Sequence, residues 1–146
     1  MKDISVSSRG EIFIDRRIED VWRSVTLEVS RWAPTVEKAE LVSGEWDKQG
    51  RVIMITKKEG LDIDPFYLEA IRMDPCKQLV NKFDTDQVYG FNDISLIEIG
   101  GKTKVIYSKY FSYKIEIEPL SSQEKSDDTR QSLYLGPLKE YVENNY

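Results

Sequence analysis

The order of secondary-structure patterns along this chain is the feature that most restricts its fold. An alternating segment over residues 4–14 comes first, and a short stretch with helical spacing follows it. A long series of strand-like segments comes next, and one helical pattern closes the chain. Strands followed by a lone terminal helix are typical of an α+β domain in which the helix packs on an antiparallel sheet. Because a curved sheet around one helix encloses a cavity, this order also predicts room for a small apolar ligand.

The first segment predicts a half-buried strand, because its apolar residues recur with a period of two. One face carries Ile4, Val6, Ser8, Gly10, Ile12 and Ile14. We expect Asp15, or a residue shortly after it, to cap the next helix. That helix has one apolar face, made of Ile18, Val21, Trp22 and Val25. Pro34 ends any continuation through Val29 and Trp32, because a residue before proline avoids the helical region.

Five or six further strands are predicted, over 36–43, 51–58, 66–73, 78–84, 90–99 and 103–117, with Gly or Pro residues in the breaks between them. The spacing of Ser121 and Glu124 matches a capping box. The segment from Leu133 to Val142 predicts the terminal helix, which Gly136-Pro137 should kink or restart.

The last two strands form a hairpin in this interpretation, with Gly100-Gly101 as its turn. A two-residue turn fixes the register, so Asn92 should lie opposite Lys109. The inner face of the last strand carries Val105, Tyr107, Lys109, Phe111, Tyr113, Ile115 and Ile117. The candidate ligand-binding residues on the hairpin are Asn92, Ile94, Leu96, Tyr107, Lys109, Phe111 and Tyr113.

Lys109 is the one charged residue on this apolar face, and three interpretations stay open. The ammonium group could face a ligand in a polar corner of the cavity, since a buried charge is costly without a partner or water. Alternatively, the strand bulges at this point, or the side chain extends to the rim of the sheet.

Composition excludes several classes of function. The chain has 146 residues, which fits one domain spanning 1–146. Its net charge is −5, and it has no basic cluster. We therefore expect neither nucleic acid nor an anionic membrane surface as a partner. Cys76 is the only cysteine, and histidine is absent. The polar N-terminus and the lack of a long apolar run predict a cytoplasmic protein without an integral membrane segment. We expect no metal and no cofactor.

Few residues suggest catalysis. Glu69 and Lys109 are the only acid–base candidates, although Glu69 could equally face outward. Cys76 has no histidine to activate it as a nucleophile. The pairs Asp62/Asp64 and Asp84/Asp86 are interpreted as solvated loop acids rather than a cation site. Trp22 and Trp32 are expected in the core, whereas Trp46 could form an exposed lid.

The chain resembles the START-like superfamily with the helix-grip fold, known as SRPBCC, which includes polyketide cyclases/dehydrases, lipid-transfer domains and the birch-pollen allergen group. The resemblance covers nearly the whole chain and depends on the segments 18–22, 32–34, 42–44 with Gly50, 67–71 with Asp74-Pro75, and 137–143. It implies a seven-stranded curved antiparallel sheet wrapped around a long C-terminal helix, with two short helices after strand 1. Only Gly44 and Gly50 occupy the loop that is glycine-rich in the plant allergens, so a phosphate-binding loop is not supported there.

The resemblance and the aromatic inner face together suggest three functions. The first is binding of a small hydrophobic or amphipathic molecule, such as a lipid, isoprenoid or polyketide, with no catalysis. The second is a cyclase- or dehydratase-type enzyme that uses the same cavity, and the third is a protein-interaction module. The oligomeric state stays open, with a homodimer among the options.

Overall fold

A computed structural model describes residues 5–60, 64–114 and 127–146, including the side chains of all but 127–133. Seven antiparallel strands form one sheet in the order β1-β7-β6-β5-β4-β3-β2. The strands are β1 (Ser5–Ile14), β2 (Val36–Ser43), β3 (Val52–Lys57), β4 (Phe66–Asp74), β5 (Gln78–Asp84), β6 (Val88–Ile99) and β7 (Lys102–Tyr113). The helices are α1 (Ile18–Leu27), α2 (Val29–Trp32) and α3 (Asp127–Asn145). This architecture confirms the predicted curved sheet, terminal helix and two short helices. Ile4, Asp62, Ile115, Ile117 and the Ser121–Glu124 capping box lie outside the described residues.

The β6–β7 hairpin has the predicted register. Gly100 and Gly101 both have positive φ, as a two-residue type I′ turn requires, and Ile99 lies opposite Lys102. β7 pairs with β6 on one side and β1 on the other, and neither pairing contains a shift. The faces predicted for the hairpin are therefore the faces that the structure has.

The core lies between the concave face of the sheet and the helices. Leu135, Leu138 and Val142 bring the C-terminal half of α3 into it, and Val21 and Val25 bring α1. No helix within the described ranges is both long and apolar enough to cross a membrane.

The start of α1 falls within the predicted range, since Arg17, two residues after Asp15, precedes its first turn. α3 is one helix on both sides of Pro137, so it does not restart there, which was one of the two expected outcomes. Leu135 and Leu138 are both buried on either side of this proline, and that burial offsets the missing backbone hydrogen bond.

Alternation alone does not show which face of β4 is buried, and the structure also has a register shift in this strand. Leu68 and Ala70 face inward, whereas Tyr67 and Ile71 are exposed. The pairing with β5 then shifts between Ala70 and Arg72, which returns Met73 to the buried face.

Candidate functional site

A cavity of about 400 Å³ lies between the concave face of the sheet and the helices. Strands β3 to β7 form its floor, and Val25, Val29 and Tyr134 contribute from α1, α2 and α3. The exposed segments at Pro34-Thr35 and Asp86-Gln87 also line it and mark its mouth. The volume falls within the range of small-molecule sites.

Most of the floor is apolar, because the inward residues of successive strands lie side by side. Strand pairing aligns Ile53, Leu68 and Phe83, and Phe111 continues this row across Gly90. A second apolar row, nearer the mouth, contains Ile55, Phe66 and Val88. A ligand can therefore bury an apolar body across two consecutive rows.

A row of polar side chains crosses the floor on the far side of these apolar rows. Pairing places Asn81 opposite Asn92, Asn92 opposite Lys109, and Lys109 opposite Ser8. Ala70 lies opposite Asn81, and its N–H donates to the carbonyl of Arg51 at 2.9 Å. We call the cavity-lining polar residues of this line the polar row: Arg51, Asn81, Asn92, Lys109 and Ser8. Ile94 and Tyr107 line the cavity beyond it, so the polar row has apolar surface on both sides.

Lys109 faces the cavity, and the uninterrupted pairing of β7 excludes the bulge. Its side chain is half-buried, and Nζ lies 5.4 Å from the centre of the Phe83 ring and 5.3 Å from that of Phe111. Both distances allow cation–π attraction. The ammonium group is therefore held over the apolar floor rather than extended to the rim.

Asn81 and Asn92 form the centre of the polar row. Nδ2 of Asn81 donates to Oδ1 of Asn92 at 3.0 Å. Asn81 is only 6% exposed, and its Oδ1 accepts no hydrogen bond within the described part of the chain. A buried polar atom without a partner destabilises the fold, so these amides call for an explanation other than stability.

Arg51 closes the polar row with a buried positive charge. Nη1 donates to the carbonyls of Thr26 and of Trp46, the latter at 2.6 Å, and the guanidinium lies 5.5 Å from the Trp46 ring. The side chain forms no ion pair with any acidic residue in the described ranges. Burial lowers its pKa to about 10, so it stays charged at neutral pH.

Two stacked tyrosines border the cavity next to the polar row. The rings of Tyr107 and Tyr134 lie 4.1 Å apart, and Trp32 meets Tyr134 edge-on at 4.8 Å. Burial raises the pKa of both hydroxyl groups. Both therefore remain protonated at neutral pH and can donate a hydrogen bond to a ligand.

The structure brings five of the seven predicted site residues to the cavity: Asn92, Ile94, Tyr107, Lys109 and Phe111. Leu96 instead packs in the core, and Tyr113 is half-buried and meets Phe111 edge-on at 5.5 Å. Neither lines the cavity, because Leu96 and Tyr113 lie toward opposite ends of the hairpin's inner face.

Three members of the polar row were not predicted as site residues. Ser8 was on the correct face of the first strand, and Asn81 alternates with Leu79 and Phe83, so extending the hairpin register across β1 and β5 would have found both. Arg51 carries no such signal, because its burial depends on contacts with Thr26 and Trp46.

Of the remaining candidates, Asp86 lies at the cavity mouth, whereas Glu69, Asp84, Cys76 and Trp46 do not line the cavity. Glu69 and Asp84 are exposed, and Asp84 forms an ion pair with Lys114. Cys76 occupies a turn with a φ of 59°, and burial raises the pKa of its thiol. Trp46, for which an exposed lid was one possibility, is half-buried against Arg51. Within the described ranges, no three His, Cys, Asp or Glu side chains cluster as a metal site would require.

Comparisons with known proteins establish the fold. No protein-family model matches the sequence, and no curated protein matches it significantly. Among solved structures, Ara h 8.0201 is similar with a TM-score of 0.76 at 12% identity, over 97% of this chain and 100% of that one. Norcoclaurine synthase from Thalictrum flavum, in complex with dopamine and hydroxybenzaldehyde, has a TM-score of 0.72 at 13% identity, over 99% and 90%. An uncharacterised protein from Rhizobium leguminosarum has a TM-score of 0.78 at 11% identity, over 99% and 98%.

These likenesses confirm the predicted helix-grip fold as the architecture of this chain. At such low identity they show the fold alone, and function has to be argued from the site.

Proposed function

We propose that this protein binds a small amphipathic molecule in the cavity between the sheet and α3. The observation that carries the proposal is the polar row, which crosses a floor that is otherwise lined by apolar side chains. Burial of the ligand's apolar body over Phe83 and Phe111 would drive binding. Hydrogen bonds to the polar row and the two tyrosines would fix its orientation.

The polar row supports ligand binding more strongly than a purely structural role. A core built for stability would place apolar residues at Asn81 and Asn92, because an amide without all its partners costs free energy when buried. The cavity volume of about 400 Å³ also favours ligand binding over a protein-interaction module, whose interior would be filled.

Uptake of a neutral fluorescent probe tests this function. N-phenyl-1-naphthylamine fluoresces when it leaves water for an apolar site, and we expect saturable uptake by the wild-type protein. Leu68→Trp would fill the cavity from its floor and should weaken uptake at least about tenfold, equivalent to 1.4 kcal/mol. Tyr67→Trp is the matched control, since Tyr67 is the preceding residue and is 56% exposed on the outer face. Equal uptake by both variants would place the probe elsewhere and contradict the proposal.

A cyclase- or dehydratase-type enzyme remains a second candidate. Lys109, Tyr107 and Tyr134 could exchange protons with a bound ligand, and the similar structure of norcoclaurine synthase contains two small aromatic molecules. Native mass spectrometry of freshly purified protein would give the mass of a co-purified ligand. Conversion of that ligand by the wild-type protein, with binding but no conversion by Lys109→Met, would support the enzyme. A ligand mass that stays constant in both would support binding alone.

A further inference from the structure

The charged side chains that line the cavity have an unexpected sign. Among the described residues they are three cations and one acid: Arg51, Lys57, Lys109 and Asp86. The acid is exposed at the mouth, where water and salt screen its charge. The chain as a whole carries a net charge of −5, so the described part of the cavity lining has the opposite sign to the protein.

Arg51 and Lys109 lie on the same polar row, on either side of the asparagine pair. An anion bound between them would be attracted from both sides. The attraction is stronger there than at the surface, because the effective dielectric constant of a protein interior is lower than that of water.

Lys57 adds a third cation at the mouth. Its Nζ donates to the hydroxyl of Thr35 at 2.7 Å and lies 5.7 Å from the Phe66 ring. It forms no ion pair with an acidic residue in the described ranges, and burial lowers its pKa. A negatively charged ligand would pass this cation on entering the cavity.

The hydrogen-bond donors of the polar row favour a negatively charged ligand, as the three cations do. Asn81 donates to Oδ1 of Asn92, which fixes the amide of Asn92 and leaves its N–H groups as donors. Asn92 lies directly across the strand pair from Lys109. An ammonium group and an amide NH₂ on facing residues both donate hydrogen bonds, which suits a carboxylate.

We propose that the ligand is an anionic amphiphile whose carboxylate-type headgroup binds at Lys109 and Asn92, with its apolar body over Phe83 and Phe111. This inference rests on the proposed function and names the chemical class of its ligand. The headgroup lies on the inner side of Phe83 and Phe111, and the apolar body extends from there toward the mouth at Lys57.

A matched pair of competitors tests the charge. Decanoate and decanol have the same chain length, and only decanoate is charged at neutral pH. Each would displace N-phenyl-1-naphthylamine from the wild-type protein, and we expect decanoate to bind at least about tenfold more tightly, equivalent to 1.4 kcal/mol. Decanol is the more hydrophobic of the two, so hydrophobic burial alone predicts the opposite order. Equal or tighter binding of decanol would overturn the inference.

Two lysine variants locate the headgroup. Lys109→Met keeps the aliphatic stem, and we expect it to bring the affinities for decanoate and decanol within about twofold of each other, a difference below 0.5 kcal/mol. Lys82→Met removes the same charge from an exposed position on β5 and should keep the wild-type preference. A preference that survives Lys109→Met, or that is lost equally in Lys82→Met, would contradict the proposed contact.

The two proposals fail in different ways. Absence of probe uptake by the wild-type protein would contradict ligand binding itself. Probe uptake with no preference for decanoate would leave ligand binding intact and refute only the anionic headgroup. The wild-type comparison requires no substitution, so it stands even where a variant fails to fold.

Discussion

Asn92 lies directly opposite Lys109 in the pairing of β6 with β7, and both side chains face the cavity. Each therefore has apolar neighbours along its own strand and a polar neighbour across the pair. The polar row extends this relationship through Asn81 on one side and Ser8 on the other. Within this row, Arg51 stabilises the fold, whereas the asparagine pair is better suited to a ligand. Substitutions of Arg51 and of the asparagines should therefore change the free energy of unfolding differently.

Asn81→Leu should leave the fold as stable as the wild type or raise its free energy of unfolding by up to about 1 kcal/mol. The substitution loses the hydrogen bond to Asn92, and it also removes a buried acceptor that has no partner within the described part of the chain. Asn92→Leu is the informative comparison, because it leaves both ends of the buried Asn81 amide unsatisfied and should cost about 1 to 2 kcal/mol. Urea denaturation measures both variants, and a larger loss in Asn81→Leu than in Asn92→Leu would refute this account.

Arg51→Met should lower the free energy of unfolding by about 3 kcal/mol. The guanidinium joins the C-terminal end of α1 to the β2–β3 loop through the carbonyls of Thr26 and Trp46, and hydrogen bonds to charged groups contribute about 1.5 to 3 kcal/mol each. Arg72→Met, at an exposed position on β4, should change it by less than about 0.5 kcal/mol. Chemical denaturation of the two variants is the measurement, and similar losses would mean that Arg51 is not a structural contact.

The stability of the protein should fall as the pH rises above about 10, and the tyrosine pair should contribute to the fall. Burial raises the pKa of Tyr107 and Tyr134 in the folded state, whereas in the unfolded chain both ionise near pH 10. Above that pH the unfolded chain binds fewer protons than the native state, so the slope of unfolding free energy against pH is negative. Unfolding free energies at pH values on either side of 10 should show a smaller fall in the double variant Tyr107→Phe/Tyr134→Phe. Tyr110→Phe, on the exposed face, is the control and should retain the wild-type slope.

Two glycine-to-alanine substitutions should differ in their cost to stability. A Cβ at Gly90 would lie 1.9 Å from the carbonyl oxygen of Tyr110 and 2.7 Å from Cα of Phe111, so Gly90→Ala must separate β6 from β7 and should cost about 3 kcal/mol. A Cβ at Gly136 has nothing within 4 Å in the described part of the chain, and alanine in a helix interior is favoured by about 0.5 to 1 kcal/mol. Because the ring of Pro137 disfavours the helical region for a preceding residue that has a Cβ, this gain is offset, and Gly136→Ala should change the free energy of unfolding by less than about 1 kcal/mol. Thermal unfolding of both variants measures the difference, and a stable Gly90→Ala protein would show that the close approach is not required.

The hairpin and much of the candidate site could be predicted from the sequence because their determinants are local. Gly100-Gly101 allows a two-residue turn, that turn fixes the register, and alternation then assigns each side chain to a face. The position of Asn92 opposite Lys109 could be predicted in this way without knowledge of the other strands. Leu96 and Tyr113 were assigned to the correct face but not to the correct part of it, because alternation does not show how far along a strand a cavity extends.

The sequence by itself determined the α+β class, the series of strands, the hairpin register and the face of β7 that carries Lys109, since each depends on residues close together in the chain. Only the tertiary structure decided that Arg51 is buried, that Asn81 and Ser8 extend the polar row, and that α3 continues through Pro137. These features depend on contacts between segments that are distant in sequence. Burial against such neighbours outweighs the local preference of a single residue, because the free energy of packing exceeds that of propensity.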